Sequence, residues 1–210
     1  MGKKMLRKIK IADIRQIHEE HKSWLSYDGE AGRCADLSET KMSCLKLNRV
    51  NLSKANLSGA DLSSANLMGP KLKGTNLRGA NMRGAYLLHG ADLTGADVSE
   101  ADLTKANLTK AEMCDVKLIK SILYKTRLNG ANLSGADLSN ADLSKTKLKK
   151  AKLSETNLQN AFLRSTDLKE AVGLTIEQLS VVKTLYKTKL DAELTEQVKE
   201  KYPHLLEKPQ

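Results

Sequence analysis

The amino-acid sequence predicts a solenoid in which the chain turns a corner at every repeat. Three observations support this prediction. Apolar residues recur every five positions, small residues stand two positions before them, and the 210 residues include only one Phe, one Trp and five Tyr. A period of five matches neither the two-residue alternation of a strand nor the turn of about 3.6 residues in a helix, so a sheet sandwich or a helical bundle explains it poorly. With so few aromatics, the core must stack leucine on leucine and alanine on alanine.

The repeat is clearest between Ala131 and Leu143. A small residue, a polar residue and a central leucine are followed there by a first and a second variable position. The apolar centres run from Leu37 to Leu87 and, after a slip of one residue, from Leu93 to Leu168, and all 27 are Leu, Met or Val. At the small position, 16 of the 27 residues are Ala and six are Thr. These side chains predict a second, tighter inward row beside the row of centres.

This pattern resembles the pentapeptide-repeat proteins, whose motif is Ala-(Asp/Asn)-Leu followed by two variable positions. The resemblance covers about residues 35–168 and implies an all-β solenoid, a right-handed quadrilateral β-helix in which four repeats close one square coil. With 27 repeats, the chain would form just under seven coils, a rod of roughly 30 Å at about 4.8 Å per coil. Such a rod needs ends that hide its apolar interior, so we expect α-helical caps at both ends.

We divide the chain into a basic segment with a capping helix (1–33), the β-helix (34–172) and a helical tail (173–210). Apolar residues recur at helical spacing from Ile11 to Leu25, and Gly29 follows as a stop signal. We expect this helix to cover the first coil and to bury Trp24. The alternative is a helix that binds a membrane surface or a partner. The basic residues that favour this alternative are Lys3, Lys4, Arg7, Lys8 and Lys10.

In the tail, Thr175 and Gln178 form the signature of a capping box. The helix that follows is predicted to carry on one side Ile176, Leu179, Val182, Leu185 and Tyr186. Asp191 is predicted to cap a second helix, from Ala192 to about Lys201. The tail resembles those of many bacterial pentapeptide-repeat proteins. We expect it to be a cap, with a homodimer surface over residues 174–210 as the alternative.

The repeat slips once, where six residues (85–90) stand in place of five. A single extra residue produces a bulge, and bulges are common beside functional sites. The surface at this slip would be formed by Tyr86, Leu88, His89 and Gly90. A binding surface and a neutral irregularity are both compatible with this sequence.

Residues twenty apart should share a face of a four-repeat coil, which assigns the outward positions to faces. One face is basic and is opposed only by Asp167 and Glu170. Its basic residues are Lys46, Arg49, Lys110, Arg127, Lys147, Lys149, Lys150 and Lys169. Another face has apolar residues at positions expected to be exposed, a candidate docking patch formed by Ile122, Tyr124 and Phe162. Each cluster is also compatible with ordinary solvated surface.

Few residues could support catalysis or metal binding. The sequence has no glycine-rich phosphate loop, nucleophile motif or Cys/His metal set, so we expect neither enzymatic activity nor a cofactor. His18 and His21 are three residues apart on the first predicted helix, but a metal site needs more ligands than two. Cys34, Cys44 and Cys114 lack paired spacing and predict free thiols.

A structural or protein-interaction module is the leading functional interpretation. No apolar run reaches the length of a signal peptide or a membrane span, so we expect a cytoplasmic location. The alternative function is weak, non-specific binding of a polyanion, either nucleic acid or an anionic membrane surface, through the basic face. The resemblance also implies a third possibility, because quinolone-resistance members of the family are acidic rods that resemble DNA and occupy DNA gyrase. The net charge of +10 has the wrong sign for such a DNA mimic.

Overall fold

The computed structural model describes residues 6–209, without the side chain of Ile11. From residue 36 onward, each repeat contributes one residue to a parallel ladder. Asp36 pairs with Asn56, and Asp137 pairs with Asn157. A separation of twenty residues equals four repeats of five, so four repeats form one coil, as predicted.

Backbone hydrogen bonds join each coil to the next at every repeat. The N–H of Asn132 donates to the carbonyl of Ala111 in the preceding coil (3.0 Å), and the N–H of Leu133 donates to the carbonyl of Lys152 in the following coil (2.9 Å). The same pair of bonds recurs around the rod. Equivalent positions of successive coils are therefore stacked in columns parallel to the rod axis.

The chain turns at the second variable position, where the backbone is left-handed. Lys105, Lys125 and Lys145 have φ values of 61°, 59° and 59°. This conformation costs a non-glycine residue about 1–2 kcal/mol, and the ladder bonds on both sides hold it in place. The N–H of the next small residue closes the turn, as Ala136 does on the carbonyl of Leu133 (3.0 Å). Side chains at the second variable position therefore stand at the corners of the coil.

The core consists of two inward rows, one of centres and one of small residues. Leu138 and Ala136 are both fully buried. Threonine replaces alanine in the second row without leaving its hydroxyl unpaired. For example, Thr126 Oγ1 donates to the carbonyl of Leu103 (2.7 Å). Each such bond satisfies a buried polar group, which is why threonine is compatible with this core.

The slip adds one residue to a coil without breaking the ladder. Lys71 pairs with Asp92 across it. His89 and Gly90 adopt left-handed φ values of 59° and 77°, and the carbonyl of Leu88 still accepts a ladder hydrogen bond. The extra residue is therefore accommodated at a corner.

Helices cover both ends of the rod. The elements outside the bridges described above are β1 (Arg7–Lys8), α1 (Ile11–Ser26), β2 (Thr40–Lys41), α2 (Ile176–Ser180), α3 (Ala192–Lys201) and a 3₁₀ helix (Pro203–Leu206). Strand β1 pairs in parallel with β2, which ties the start of the described chain to the first coil. Lys3 and Lys4, part of the basic segment, lie outside the described residues. None of the helices in the described part of the chain is long and apolar enough to cross a membrane.

Helix α1 packs against the first coil. Ile14 and Ile17 contact the core, while Trp24 is only half buried, so its predicted burial is incomplete. Among the described side chains of this helix, the fully buried one is His21, whose ring stacks on Trp24 with 5.7 Å between the centroids. The imidazole is therefore buried where a Trp24 side chain was expected.

The two histidines of α1 accept hydrogen bonds from the open end of the rod. His21 Nδ1 accepts from the N–H of Ala35 (3.1 Å), and His18 Nε2 accepts from the N–H of Asn51 (3.4 Å). In an interior coil, the preceding repeat or coil would provide these acceptors. The imidazoles therefore replace the missing neighbours and support the interpretation of α1 as a cap.

We expect the free energy of unfolding to fall as the pH drops below the ordinary histidine pKa of about 6.5. Burial lowers the pKa of His21, the backbone of Ser53 partly opposes this, and His18 lowers it further. The unfolded chain therefore binds a proton at a pH where the folded chain does not. Stability that is present above the ordinary pKa is lost as the pH falls toward the folded pKa. Urea unfolding from about pH 8 to pH 5 measures this change.

A His21→Asn variant keeps a side-chain acceptor but does not titrate, so its stability should vary less over this range. His204, exposed in the 3₁₀ helix, provides the matched control. A His204→Asn variant should retain the full pH dependence. An unchanged pH dependence in the His21→Asn variant would contradict the role assigned to the His21 imidazole.

The capping box of α2 forms as predicted. Thr175 Oγ1 accepts from the N–H of Gln178 (3.3 Å), and Gln178 Oε1 accepts from the N–H of Thr175 (2.9 Å). Gln178 Nε2 also donates to the carbonyls of Leu153 and Thr156, both at 2.8 Å. One glutamine therefore starts the helix and satisfies two carbonyls at the open end of the rod.

The predicted continuation of α2 is wrong, because the helix ends at Ser180. Leu185 and Tyr186 lie beyond it, in a further stretch of ladder where Thr184 pairs with Phe162. Leu185 is fully buried there, as a repeat centre would be. The open ladder edge offers backbone partners to these residues, and pairing with it replaces further helix.

Helix α3 has the predicted bounds, with Asp191 as its N-cap residue. The carboxylate of Asp191 accepts from the N–H of Glu170 (3.0 Å) and makes no hydrogen bond to its own helix. Val198 and Leu205 are buried, and Leu206 packs against the core. These apolar residues of the tail cover the end of the rod.

Candidate binding surface

The eight basic residues assigned to one face do not form one surface. Arg127 and Lys147 pair in the ladder at the corner where this side of the coil begins. Lys110 and Lys150 stand at the second variable position, at the corner where the same side ends. The other four are distributed along the rod: Lys46 and Arg49 in the first coil, Lys149 beside Lys150, and Lys169 one coil beyond Lys149.

Two of these charges share a carboxylate. Lys149 Nζ lies 2.8 Å and Lys150 Nζ 3.3 Å from oxygens of Glu170. The hydrogen bonds that they donate lower the pKa of Glu170, and donation to this carboxylate raises the pKa of Lys149. The exposed ion pairs add little stability, but they reduce the positive potential at this corner.

Within the described part of the chain, a cluster of positive charges without ion-pair partners lies at the opposite corner. Three successive coils each place one lysine there at the second variable position: Lys105, Lys125 and Lys145. They line one recess with Arg127 and Lys147. The recess has a volume of about 550 Å³, and we call it the cationic groove. Its lining residues are Tyr86, Lys105, Asn107, Lys125, Arg127, Lys145 and Lys147.

No carboxylate stands in the three stacked segments that form the groove and the side next to it. Segments 103–110, 123–130 and 143–150 contain eight Lys or Arg and no Asp or Glu. Among residues 6–209, none of the five groove cations has an ion-pair partner. Asp167 pairs with Lys147 in the ladder and marks the end of the groove toward the C terminus. The run of basic residues without a carboxylate therefore spans about three coils.

Lys105, Lys125 and Lys145 do not appear among the predicted residues of the basic face, because each is assigned there to the face of its own repeat centre. A residue at the second variable position instead stands at a corner and borders the next face as well. The signal was present in the sequence, since these lysines are twenty residues apart. Each also lies two positions before a polar position of the basic face.

Tyr124 forms part of the wall beside the groove. Lys125 Nζ lies 5.2 Å and Lys145 Nζ 5.4 Å from the centroid of its ring. Lys145 Nζ also donates to the Tyr124 hydroxyl (3.1 Å). This hydrogen bond lowers the pKa of the hydroxyl, burial opposes it, and the charges of both lysines lower the pKa further. The contacts hold two groove lysines in place and cover the tyrosine ring.

The three residues of the candidate apolar patch are not contiguous. Ile122 and Phe162 are 42% and 45% exposed. Asp142 lies between them in the same column, paired to both in the ladder. Tyr124 stands beside Lys125 and Lys145, toward the groove. A charged residue therefore divides the patch, which weakens it as an apolar docking site.

The residues at the slip are also divided between two places. His89 lines a recess of about 830 Å³ together with Arg49 and Lys71. Tyr86 does not line that recess and instead borders the cationic groove, with 52% of its surface exposed. The slip itself therefore contributes one imidazole to an open, moderately basic depression.

The histidines and cysteines provide no ligand cluster among the described residues. The structure contains no group of three or more His, Cys, Asp or Glu there that could hold a metal ion. Cys34, Cys44 and Cys114 are free thiols. Partial burial raises the pKa of Cys34 and of Cys114, with nearby carboxylates adding to the effect. Both thiols are therefore less reactive than an ordinary exposed cysteine.

The chain matches the family of pentapeptide repeats, in eight copies over residues 33–69, 46–84, 60–99, 87–118, 115–149 and 147–172. The solved structures similar to this chain include that of trypsin-treated QnrB1, a plasmid-mediated fluoroquinolone resistance protein. QnrB1 is 23% identical over 80% of this chain and 83% of that chain, with a TM-score of 0.67. A second solved structure is that of HetL, a pentapeptide repeat protein involved in heterocyst differentiation regulation from the cyanobacterium Nostoc sp. strain PCC 7120. HetL is 30% identical over 67% of this chain and 78% of that chain, with a TM-score of 0.26. No curated protein is significantly similar to this chain.

The similarity to QnrB1 confirms the predicted right-handed quadrilateral β-helix, and its level of identity supports the fold alone. The family match extends over two thirds of the sequence and over the same repeats that form the ladder. The chain therefore belongs to the pentapeptide-repeat family.

Proposed function

We propose that this chain is a non-enzymatic interaction module whose partner binds at the cationic groove and on the basic side next to it. Pentapeptide-repeat proteins are generally structural or interaction modules, which supports the general role. The location is supported by eight basic residues in three stacked segments that contain no acidic residue, of which only Lys149 and Lys150 are paired within residues 6–209, with Glu170 from the next coil. Like charges held together repel one another and lower stability. A partner that supplies negative charge would relieve this repulsion.

The rod is suited to presenting such a surface. Every groove lysine is attached to a backbone position fixed by ladder hydrogen bonds on both sides. Within a column, the backbone positions of successive side chains are separated by about 4.8 Å. The backbone of this surface is therefore rigid, while the ends of the side chains can adjust. Binding a partner would cost little backbone conformational entropy, because the backbone is already ordered.

Photo-crosslinking tests the location of the partner surface. A photoreactive residue at position 125 or 145 should give the same discrete adduct in an extract of the source organism. The matched control is position 117, an exposed lysine on another side of the rod. Adducts that are equal at all three positions would contradict a binding surface at the groove. An adduct from position 117 alone would place the interaction elsewhere on the rod.

A second candidate function is binding of a polyanion, either nucleic acid or an anionic membrane surface. The cations of the groove, unpaired among the described residues, favour it, because lysines and arginines attract phosphates without sequence specificity. The DNA-mimic role has no comparable support, since the net charge of +10 would repel a site that binds DNA. We also propose a cytoplasmic location, where the three thiols would remain reduced.

A further inference from the structure

We propose that the cationic groove binds an acidic segment of a partner protein, in extended conformation and along the rod axis. This inference rests on the proposed function and adds the chemistry of the partner. The ligand is a short stretch rich in Asp or Glu, and its carboxylates lie between the column of Lys105, Lys125 and Lys145 and the column of Arg127 and Lys147.

The dimensions of the groove match such a segment. Its three lysines come from successive coils, so the backbone positions of the first and third are about 10 Å apart. An extended strand rises about 3.3 Å per residue, and three or four residues span this distance. Alternate side chains of the strand point the same way at intervals of about 6.6 Å. The flexible lysine stems can absorb the difference between this interval and the spacing of the coils.

The two columns supply charges of different kinds. Arg127 presents a planar fork that can hold one carboxylate through two hydrogen bonds. The lysines present compact ammonium groups on flexible stems. Lys125 and Lys145 are already held against the Tyr124 ring, so less side-chain freedom is lost when they bind an anion. The groove is partly organised before a ligand arrives.

The ends of the groove favour a short ligand over a long polyanion. Toward the C terminus, Asp167 follows Lys147 in the same column, and Glu170 lies one coil beyond Lys150. Toward the N terminus, Tyr86 and Asn66 continue the column without positive charge. A nucleic-acid strand that continued past the groove would meet the carboxylate of Asp167 before the next cation, Lys189, at one end, and two neutral side chains before Lys46 at the other. A peptide of a few acidic residues would not.

The aromatic side chains favour a peptide over single-stranded nucleic acid. Proteins that bind single strands without sequence preference stack successive bases on open aromatic rings. The ring of Tyr124 is covered by two ammonium groups, and its hydroxyl is hydrogen-bonded to one of them. Tyr86 remains as a single exposed ring at the groove. One ring provides no platform for a run of bases.

The test measures binding of a fluorescent eight-residue peptide of alternating Glu and Ser to the full chain, by anisotropy at low and at physiological salt. The comparison peptide has Gln in place of every Glu. The groove variant carries Lys105→Glu, Lys125→Glu and Lys145→Glu. The control variant carries Lys54→Glu, Lys117→Glu and Lys120→Glu, three exposed lysines on other parts of the rod. Both variants have the same net charge, and circular dichroism verifies that both are folded.

We expect the wild type and the control variant to bind the Glu peptide, and we expect binding to weaken as salt is added. The groove variant should bind it roughly tenfold or more weakly than the control variant, because three attractive contacts become repulsive. The Gln peptide should bind none of the three proteins. Equal weakening in both variants, or no binding by the wild type, would overturn the proposal.

Duplex DNA, RNA and anionic vesicles form the other arms of the same experiment. Tighter binding of any of these than of the Glu peptide, with loss in the groove variant, would overturn the acidic segment and favour the polyanion. The crosslinking experiment distinguishes failure of the acidic-segment hypothesis from failure of the proposed interaction module. A partner captured at position 125, with no binding of the Glu peptide, would keep the interaction module and reject this ligand. No specific adduct and no binding would reject both.

Discussion

Replacing Leu138 by Asp is expected to unfold the rod. Leu138 is a fully buried centre in the middle of the stack, with Leu118 in the preceding coil and Leu158 in the following one. Loss of a buried leucine alone costs about 2–5 kcal/mol. Burial of an unpaired carboxylate adds several kcal/mol more. The sum is comparable with the whole stability of an ordinary domain, which is about 5–15 kcal/mol.

The matched control introduces the same residue two positions away. Asn140 is exposed at a corner and has a left-handed φ of 59°, a conformation that Asp also tolerates. Asn140→Asp should change the free energy of unfolding by less than about 0.5 kcal/mol. Far-ultraviolet circular dichroism and urea unfolding of both variants make the comparison. A Leu138→Asp protein that unfolds at the same urea concentration as the wild type would refute the assignment of centres to the core.

The repeat region could be predicted because its period determines which residues face inward. If the repeats between Leu93 and Leu168 were read one position out of register, residues other than the apolar centres would face inward. The unbroken series of apolar centres therefore specifies one register. The threonines at the small positions were also compatible with burial, although their hydroxyls are polar. The sequence does not reveal that Thr126 bonds a carbonyl of the preceding coil, because that contact depends on stacking.

The ends were less predictable because two kinds of backbone pairing compete there. Residues 176–186 have apolar spacing that fits a helix, yet only Ile176–Ser180 is helical. Leu185 instead continues the ladder, whose open edge cannot be seen in a local pattern. At the other end, His21 is buried in place of Trp24 because the N–H of Ala35 would otherwise lack an acceptor. The hydrophobic pattern of the helix does not indicate this need for an acceptor.

The candidate site was partly predictable. Charge in columns twenty residues apart indicated a basic side, and Arg127 and Lys147 do lie together. The assignment of residues to flat faces then failed at the corners, where two sides share a column of side chains. The neutralisation of Lys149 and Lys150 by Glu170 also depends on side-chain conformations that spacing does not determine.

Removal of residues 174–210 is expected to make the protein aggregate. The tail covers the centres of the last coil, and Leu163 and Leu168 are 0% and 2% exposed in its presence. It also supplies backbone partners, because the N–H of Leu163 donates to the carbonyl of Thr184 (3.2 Å) and the N–H of Leu168 to that of Lys189 (2.9 Å). Without the tail, apolar side chains and unpaired ladder groups would be exposed together. An open β edge of this kind pairs with other chains.

A shorter truncation provides the control. Removing residues 207–210 takes away only exposed positions among those described and leaves the buried Leu205 in place. This variant should remain soluble with an unchanged unfolding midpoint. Sedimentation velocity of the three proteins at equal concentration measures aggregation and oligomeric state.

The same sedimentation experiment separates a cap from a dimer surface. Val172 and Val181 are 57% and 47% exposed near the tail, and a second copy of the chain could cover them. A cap predicts a soluble full-length chain and an aggregating truncation at residue 173. A full-length dimer that becomes a soluble monomer on truncation would instead make the tail an interface. A truncated chain that stays soluble and monomeric, beside a full-length monomer, would refute the capping role, because the end of the ladder would then be stable in water without cover.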